Sequence, residues 1–168
     1  QEAIVTTDEG IDLLPATIDL AGSEAMLLMR PGREFTLKRA LSSLLADYDT
    51  IIVDCPPSLG VLTLNGLTAA QSVLVPLQCE TLAHRGVGQL LRTVKEVQQI
   101  TNPDLVLLGA VHTLYDARTT HSRDVLADVS DRYDLPVLWP PIPRTVRFAE
   151  ASASGATVLA GRKNKGAQ

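Results

Sequence analysis

Aromatic residues are scarce in this chain: two Phe, three Tyr and one Trp make up 4% of its 168 residues. A packed core must therefore be aliphatic, and the apolar content of 45% is enough to build one. No apolar run reaches the roughly 18 residues that a membrane-spanning helix needs. No secretory signal pattern opens the sequence. The two cysteines, Cys55 and Cys79, are too few for a disulfide framework and do not stand at metal-ligand spacing. They read as small core residues in a reducing cytoplasm. His84, His112 and His121 are scattered and form no ligand set. Ser58 lacks a Gly-x-Ser-x-Gly setting, which argues against a hydrolase nucleophile. The net charge of −4 points to neither nucleic acid nor membrane as a whole-chain property. The charge is unevenly spread, however. Residues 1–29 hold six acids and no Lys or Arg, whereas Arg144 to the end holds five basic residues against Glu150. A basic end of this kind can meet polyanions, or can simply be a solvated terminus.

What the chain does have is one informative stretch, Tyr48 to Gly60. Thr50-Ile51-Ile52-Val53 reads as a strand buried on both faces. Asp54 follows at once, and then a Pro-Pro-Ser-Leu-Gly turn that stops the strand. Open α/β sheets bind ligands beyond the carboxyl ends of parallel strands. A carboxylate at such a tip suits Mg²⁺ on a nucleotide phosphate, which is the Walker-B pattern.

Along the chain, residues 2–7 and 11–15 read as short extended pieces around a turn at Asp8-Glu9-Gly10. Asp19 is expected to cap a helix over about 20–29, and the apolar spacing of 33–46 predicts another. Helices over 61–70, 86–100 and 119–133 then alternate with strands over 72–77, 105–112 and 136–139. One or two helical turns are expected over 146–151. Alternating strands and helices imply an α/β fold with a parallel sheet flanked by helices. The expectation is one domain over 1–160, followed by a disordered basic tail over 161–168.

Five stretches carry a resemblance. They are Leu14 to Glu24, Asp49 to Gly60, Val75 to Glu80, Thr113 to Thr119 and Ile142 to Arg147. In this order and spacing, over about residues 10–158, the chain resembles the ParA-type partition ATPases, relatives of the MinD-type ATPases. The resemblance implies a P-loop NTPase-like fold, ATP with Mg²⁺, a homodimer formed around nucleotide, non-specific DNA binding and a ParB-like partner. It also implies a role in plasmid or chromosome segregation and a cytoplasmic, nucleoid-associated location. Residue by residue, Asp54 matches the acid that holds Mg²⁺ through water. Pro56, Pro57 and Gly60 match the turn that senses the γ-phosphate. Thr113, Asp116, Pro143 and Arg144 match loops that wall the adenine. Arg118, Arg144 and Arg147 match basic positions of DNA binding. Asp116 and Arg118 also have a plainer reading as a turn and a solvated charge, and Ile142-Pro143 as an extended connector.

Two features of that family are not matched. No Gly-x-x-x-x-Gly-Lys-Ser/Thr loop occurs, and none of Lys38, Lys95, Lys163 and Lys165 follows such a loop. The family's closing C-terminal helix is not matched either; Gly161 to Gly166 stands there. The expectation is that the chain is the C-terminal two-thirds of such an ATPase and is not catalytic alone. A natural short paralogue, acting through DNA or partner contacts, is the alternative. Without a neighbouring phosphate-loop strand, Ile51 to Val53 should form an open apolar edge prone to association.

Overall fold

The computed structural model describes residues 3–78, 83–116 and 130–159, leaving aside the side chains of 83–85. The chain divides into two compact units, residues 22–143 and residues 1–21 with 144–168.

In the larger unit the sheet is built on β3 (Ser72–Gln78), β4 (Val106–Thr113) and β5 (Val137–Leu138), in the order β3-β4-β5. All pairings are parallel. Helix α4 (Ala83–Ile100) connects β3 to β4 and covers one face. Its apolar stripe explains the choice of face: Val87, Val94 and Val97 are buried, with Leu90 and Leu91 packed beside them. One aliphatic cluster joins Val75, Leu77, Val87, Ala110 and Leu135. A second joins Leu67 of α3 (Val61–Ala69) with Val94, Val97 and Leu105. Asn102 locks the end of α4 to the end of α3, its Nδ2 donating to the carbonyls of Leu67 (3.0 Å) and Ala70 (2.7 Å). The parallel sheet flanked by helices is thus present, with the aliphatic core expected from the composition.

The β3–β4 register slips once, so that Val73 faces Leu107 and Leu74 faces Gly109. At the slip Gly109 takes φ +134°, and a Cβ there would collide with the Pro136 carbonyl oxygen. That carbonyl accepts the Ala110 N–H at 2.8 Å. Glycine is what lets β4 and the approach to β5 come this close.

The smaller unit holds a hairpin of β1 (Val5–Thr6) and β2 (Asp12–Leu13) around Gly10, as the turn residues predict. It also holds α5 (Arg147–Ala153). The Thr157 N–H donates to Glu9 Oε1 at 2.9 Å, tying the segment after α5 to the hairpin turn. Helix α1 (Ile18–Leu28) begins in this unit and ends in the larger one.

Several local expectations are corrected. Thr17, not Asp19, caps α1, since its hydroxyl accepts the Asp19 N–H at 3.3 Å. Residues 33–46 are not one helix but a 3₁₀ turn (Arg33–Phe35), α2 (Thr36–Leu41) and a run of turns. Residues 130–133 are helical, while the rest of the 119–133 helix lies outside the described residues. The largest correction is at Thr50–Val53, which is neither a hydrogen-bonded strand nor buried. Ile52 is 89% exposed. A strand exists only through a neighbour that takes its N–H and C=O groups. Among the described residues, none pairs with this one. The apolar run is therefore exposed, but as an unpaired segment and not as the edge strand of the sheet that was expected.

Candidate functional site

The Asp54–Gly60 segment is held by the helix that follows it. A Cβ on Gly66 of α3 would come within 2.6 Å of Cys55 Sγ and 3.6 Å of Val53 Cγ1, so both side chains rest where this glycine leaves room. Cys55 is exposed, which corrects its reading as a core residue. Burial of its sulfur, and then the negative charge of Asp54, push the thiol above its usual range, so it is not an activated nucleophile. Cys79 lies outside the described residues. Asp54 itself is exposed. Thr63 reaches back from α3 and places its hydroxyl 2.5 Å from the Ser58 carbonyl and 3.3 Å from that of Pro56. Gly60 is the N-cap of α3, and the Val61 N–H donates to Glu24 Oε1 of α1 at 3.1 Å. Asp54, Pro56, Pro57 and Gly60 are thereby assembled into one anchored, solvent-facing turn.

A second assembly stands at the carboxyl ends of β3 and β4. Ile142 donates its N–H to the His112 carbonyl (2.7 Å) and accepts that of Tyr115 (3.0 Å). Tyr115 also bridges Pro143 in parallel. Thr113, Asp116 and Pro143 are brought together in this way, and Thr113 Oγ1 lies 3.5 Å from the Leu77 carbonyl. Arg144, the next residue, and Arg147 on α5 are exposed and belong to the smaller unit. Thr145 Oγ1 accepts the Arg147 N–H at 3.3 Å and orders the start of α5. Arg118 lies outside the described residues.

His112, fully buried on β4, stands edge-on to Tyr115, with ring centroids 6.3 Å apart. Burial lowers its pKa from the ordinary histidine value, which favours the neutral imidazole in the fold. An unfolded chain takes up that proton near its ordinary value. Above about pH 6.5 the group therefore contributes no pH dependence. Below it the unfolded state binds more protons and stability falls. Urea midpoints from about pH 8 to about pH 5 should drop in the acid half of that range, and His112→Gln should flatten the slope.

Among the described residues no group of three or more His, Cys, Asp or Glu is placed to hold a metal ion. Asp54 alone still fits Mg²⁺ that arrives on phosphate, since this ion keeps several waters and takes one or two protein carboxylates. Sequence reasoning assigned no role to Glu24 or Thr63. The available signal was a helix starting after a glycine that cannot cap it, with a hydroxyl three residues on.

A family model described as an AAA domain matches residues 1–107. The Bacillus subtilis sporulation initiation inhibitor protein Soj is 47% identical over 154 residues, covering 92% of this chain and 61% of the relative. The chain belongs to the ParA-type family of the MinD/ParA superfamily. Another relative of this ParA-type chain is the Myxococcus xanthus chromosome partitioning protein ParA, 44% identical over 149 residues, covering 89% of this chain and 53% of that protein. A Mycobacterium smegmatis protein, solved as cobyrinic acid a,c-diamide synthase with a bound ATP analog and magnesium, is 77% identical. It superposes with a TM-score of 0.82 over 86% of this chain and 57% of its own. The ParA-type chain thus spans little more than half the length of the relatives it matches.

Proposed function

We propose that this chain is the part of a ParA-type partition ATPase that senses nucleotide and carries the DNA-binding arginines. The supporting observation is the anchored turn from Asp54 to Gly60, held from α3 by Thr63 and from α1 by Glu24. In this reading Asp54 holds Mg²⁺ through water, where the ion draws off phosphate charge. Pro56, Pro57 and Gly60 sense the γ-phosphate. Thr113, Asp116 and Pro143 wall the adenine. Without phosphate-loop N–H groups and lysines the chain alone does not hydrolyse ATP. The M. smegmatis relative is named for a synthase, and its structure holds an ATP analog with magnesium. Binding of a magnesium nucleotide is the part of that description that the residues here support. A short paralogue that acts without ATPase chemistry remains the alternative.

In the same reading the assembled protein is a homodimer that coats DNA without reading sequence and is released by a ParB-like partner. No helix among the described residues is long and apolar enough to cross a membrane. Arg144 and Arg147 are exposed, and Arg118 is the third basic position. Cations meeting phosphates release counterions, so affinity falls with salt and is blind to base sequence. Arg147→Glu should weaken binding equally on unrelated duplexes and reduce the salt slope by about 1 in fluorescence anisotropy titrations. A loss confined to one duplex sequence would contradict this reading.

A further inference from the structure

We infer that Glu24 is a positioning residue that ties the Pro56–Gly60 turn to α1, so that the turn cannot change shape without moving that helix. The turn is clamped from two sides. From α3, Thr63 holds the carbonyls of Ser58 and Pro56. From α1, across a separation of 37 residues, Glu24 Oε1 accepts the Val61 N–H at 3.1 Å. That N–H is one of the donors a helix start leaves unpaired, and it favours a negative partner. Gly60, at the cap position, has no side chain to satisfy it.

The glycine has a different use. Its φ of −81° and ψ of −172° are extended backbone that any residue adopts, so conformation does not require glycine here. Space does. A Cβ on Gly60 would run into the Glu24 carboxylate. The glycine therefore admits the carboxylate to the helix start.

The tie matters because α1 buries little of itself among the described residues. It has no buried residue, and Ser23, Glu24 and Leu27 are its half-buried ones in the larger unit. Met26 and Met29 beside them are 64% and 86% exposed. A helix packed this loosely follows whatever holds it. The functional meaning rests on reading Pro56–Gly60 as the phosphate-sensing turn: a turn displaced by nucleotide would be reported at α1.

The test perturbs the turn from the opposite side. Thr63→Val removes the hydroxyl that holds Pro56 and Ser58. Backbone amide hydrogen exchange is then followed by NMR at Val61 and at Leu27 and Leu28, with nucleotide absent. In the parent chain Thr63→Val should speed exchange at all three amides, by about tenfold if it costs one hydrogen bond. In a Glu24→Ala background it should speed Val61 alone, leaving the α1 amides at their Glu24→Ala rates. Glu24→Gln keeps an acceptor oxygen at the same reach and should restore the joint response. A helix cap with no coupling role would protect Val61 without transmitting anything to α1. If Thr63→Val does not fold, Pro57→Ala loosens the turn through its backbone entropy instead. The inference is overturned if the α1 amides respond equally with and without Glu24, or respond in neither background. No nucleotide enters the assay, so its failure leaves the magnesium-nucleotide reading intact, and failure of that reading leaves the coupling result standing.

Discussion

Gly109→Val should cost about 4 kcal/mol or more of stability, a large share of what holds the fold. Three effects add. The residue sits at φ +134°, where a β-branched side chain is strained by roughly 1–3 kcal/mol. Its Cβ would collide with the Pro136 carbonyl oxygen and lie 3.1 Å from the Pro136 carbonyl carbon, both backbone atoms that cannot swing away. Moving them breaks the 2.8 Å bond from the Ala110 N–H to the Pro136 carbonyl, within a core where Ala110 and Leu135 are 0% and 1% exposed. A domain holds only about 5–15 kcal/mol in total, so one such change uses up much of it. Urea unfolding followed by circular dichroism reads the effect. Gly86→Ala is the control. It lies in α4, where an added Cβ would meet nothing within 4 Å, and should be neutral or stabilising by up to about 1 kcal/mol. Equal costs at the two glycines would contradict the role given to Gly109 at the β3–β4 slip.

The second large effect is on association. Ile52 is 89% exposed, flanked by Ile51 and Val53 at 38% and 36%. In the same unit β3 is an edge strand among the described residues, and Leu74, Val106 and Leu108 are 46–52% exposed. Unpaired apolar edges and patches recruit other chains. Light scattering should find the isolated chain self-associated, with the apparent mass rising with concentration. Ile52→Glu together with Leu74→Lys should shift it toward the monomer. A parent chain that stays monomeric at high concentration would contradict this.

Gly109 and Thr50–Val53 differ in how much of their structure local sequence determines. β3, α4 and β4 are legible because their apolar spacing matches what each buries locally, and Asn102-Pro103 follows the end of α4; Pro76, expected to close β3, instead lies within it, since the strand runs on to Gln78. Thr50–Val53 was misread because the same composition signals a strand whether or not a neighbour is present to pair with it. Pairing is a property of two segments, and composition describes only one. The site divides the same way. The Asp54–Gly60 turn is marked by its acid and prolines, whereas Thr113, Asp116 and Pro143 are named in advance only through the resemblance to the ParA-type family. Glu24 and Thr63 could not be named in advance, because their roles depend on contacts that folding alone creates, over 37 residues in the case of Glu24. Arg118 and the helix expected from residue 119 fall largely outside the described residues, so the DNA-binding reading rests here on Arg144 and Arg147.

In the proposed function the Asp54–Gly60 turn is one half of a nucleotide clamp, and a glycine-rich, lysine-bearing loop supplies the other. The most direct measurement is a calorimetric titration of magnesium ATP into two proteins: this chain alone, and the same chain joined behind the N-terminal segment of B. subtilis Soj. The chain alone should give weak or undetectable heat. The joined protein should bind tightly and with magnesium dependence, and Asp54→Ala should abolish that binding. Tight magnesium-dependent binding by the chain alone, or a joined protein indifferent to Asp54→Ala, would contradict the claim.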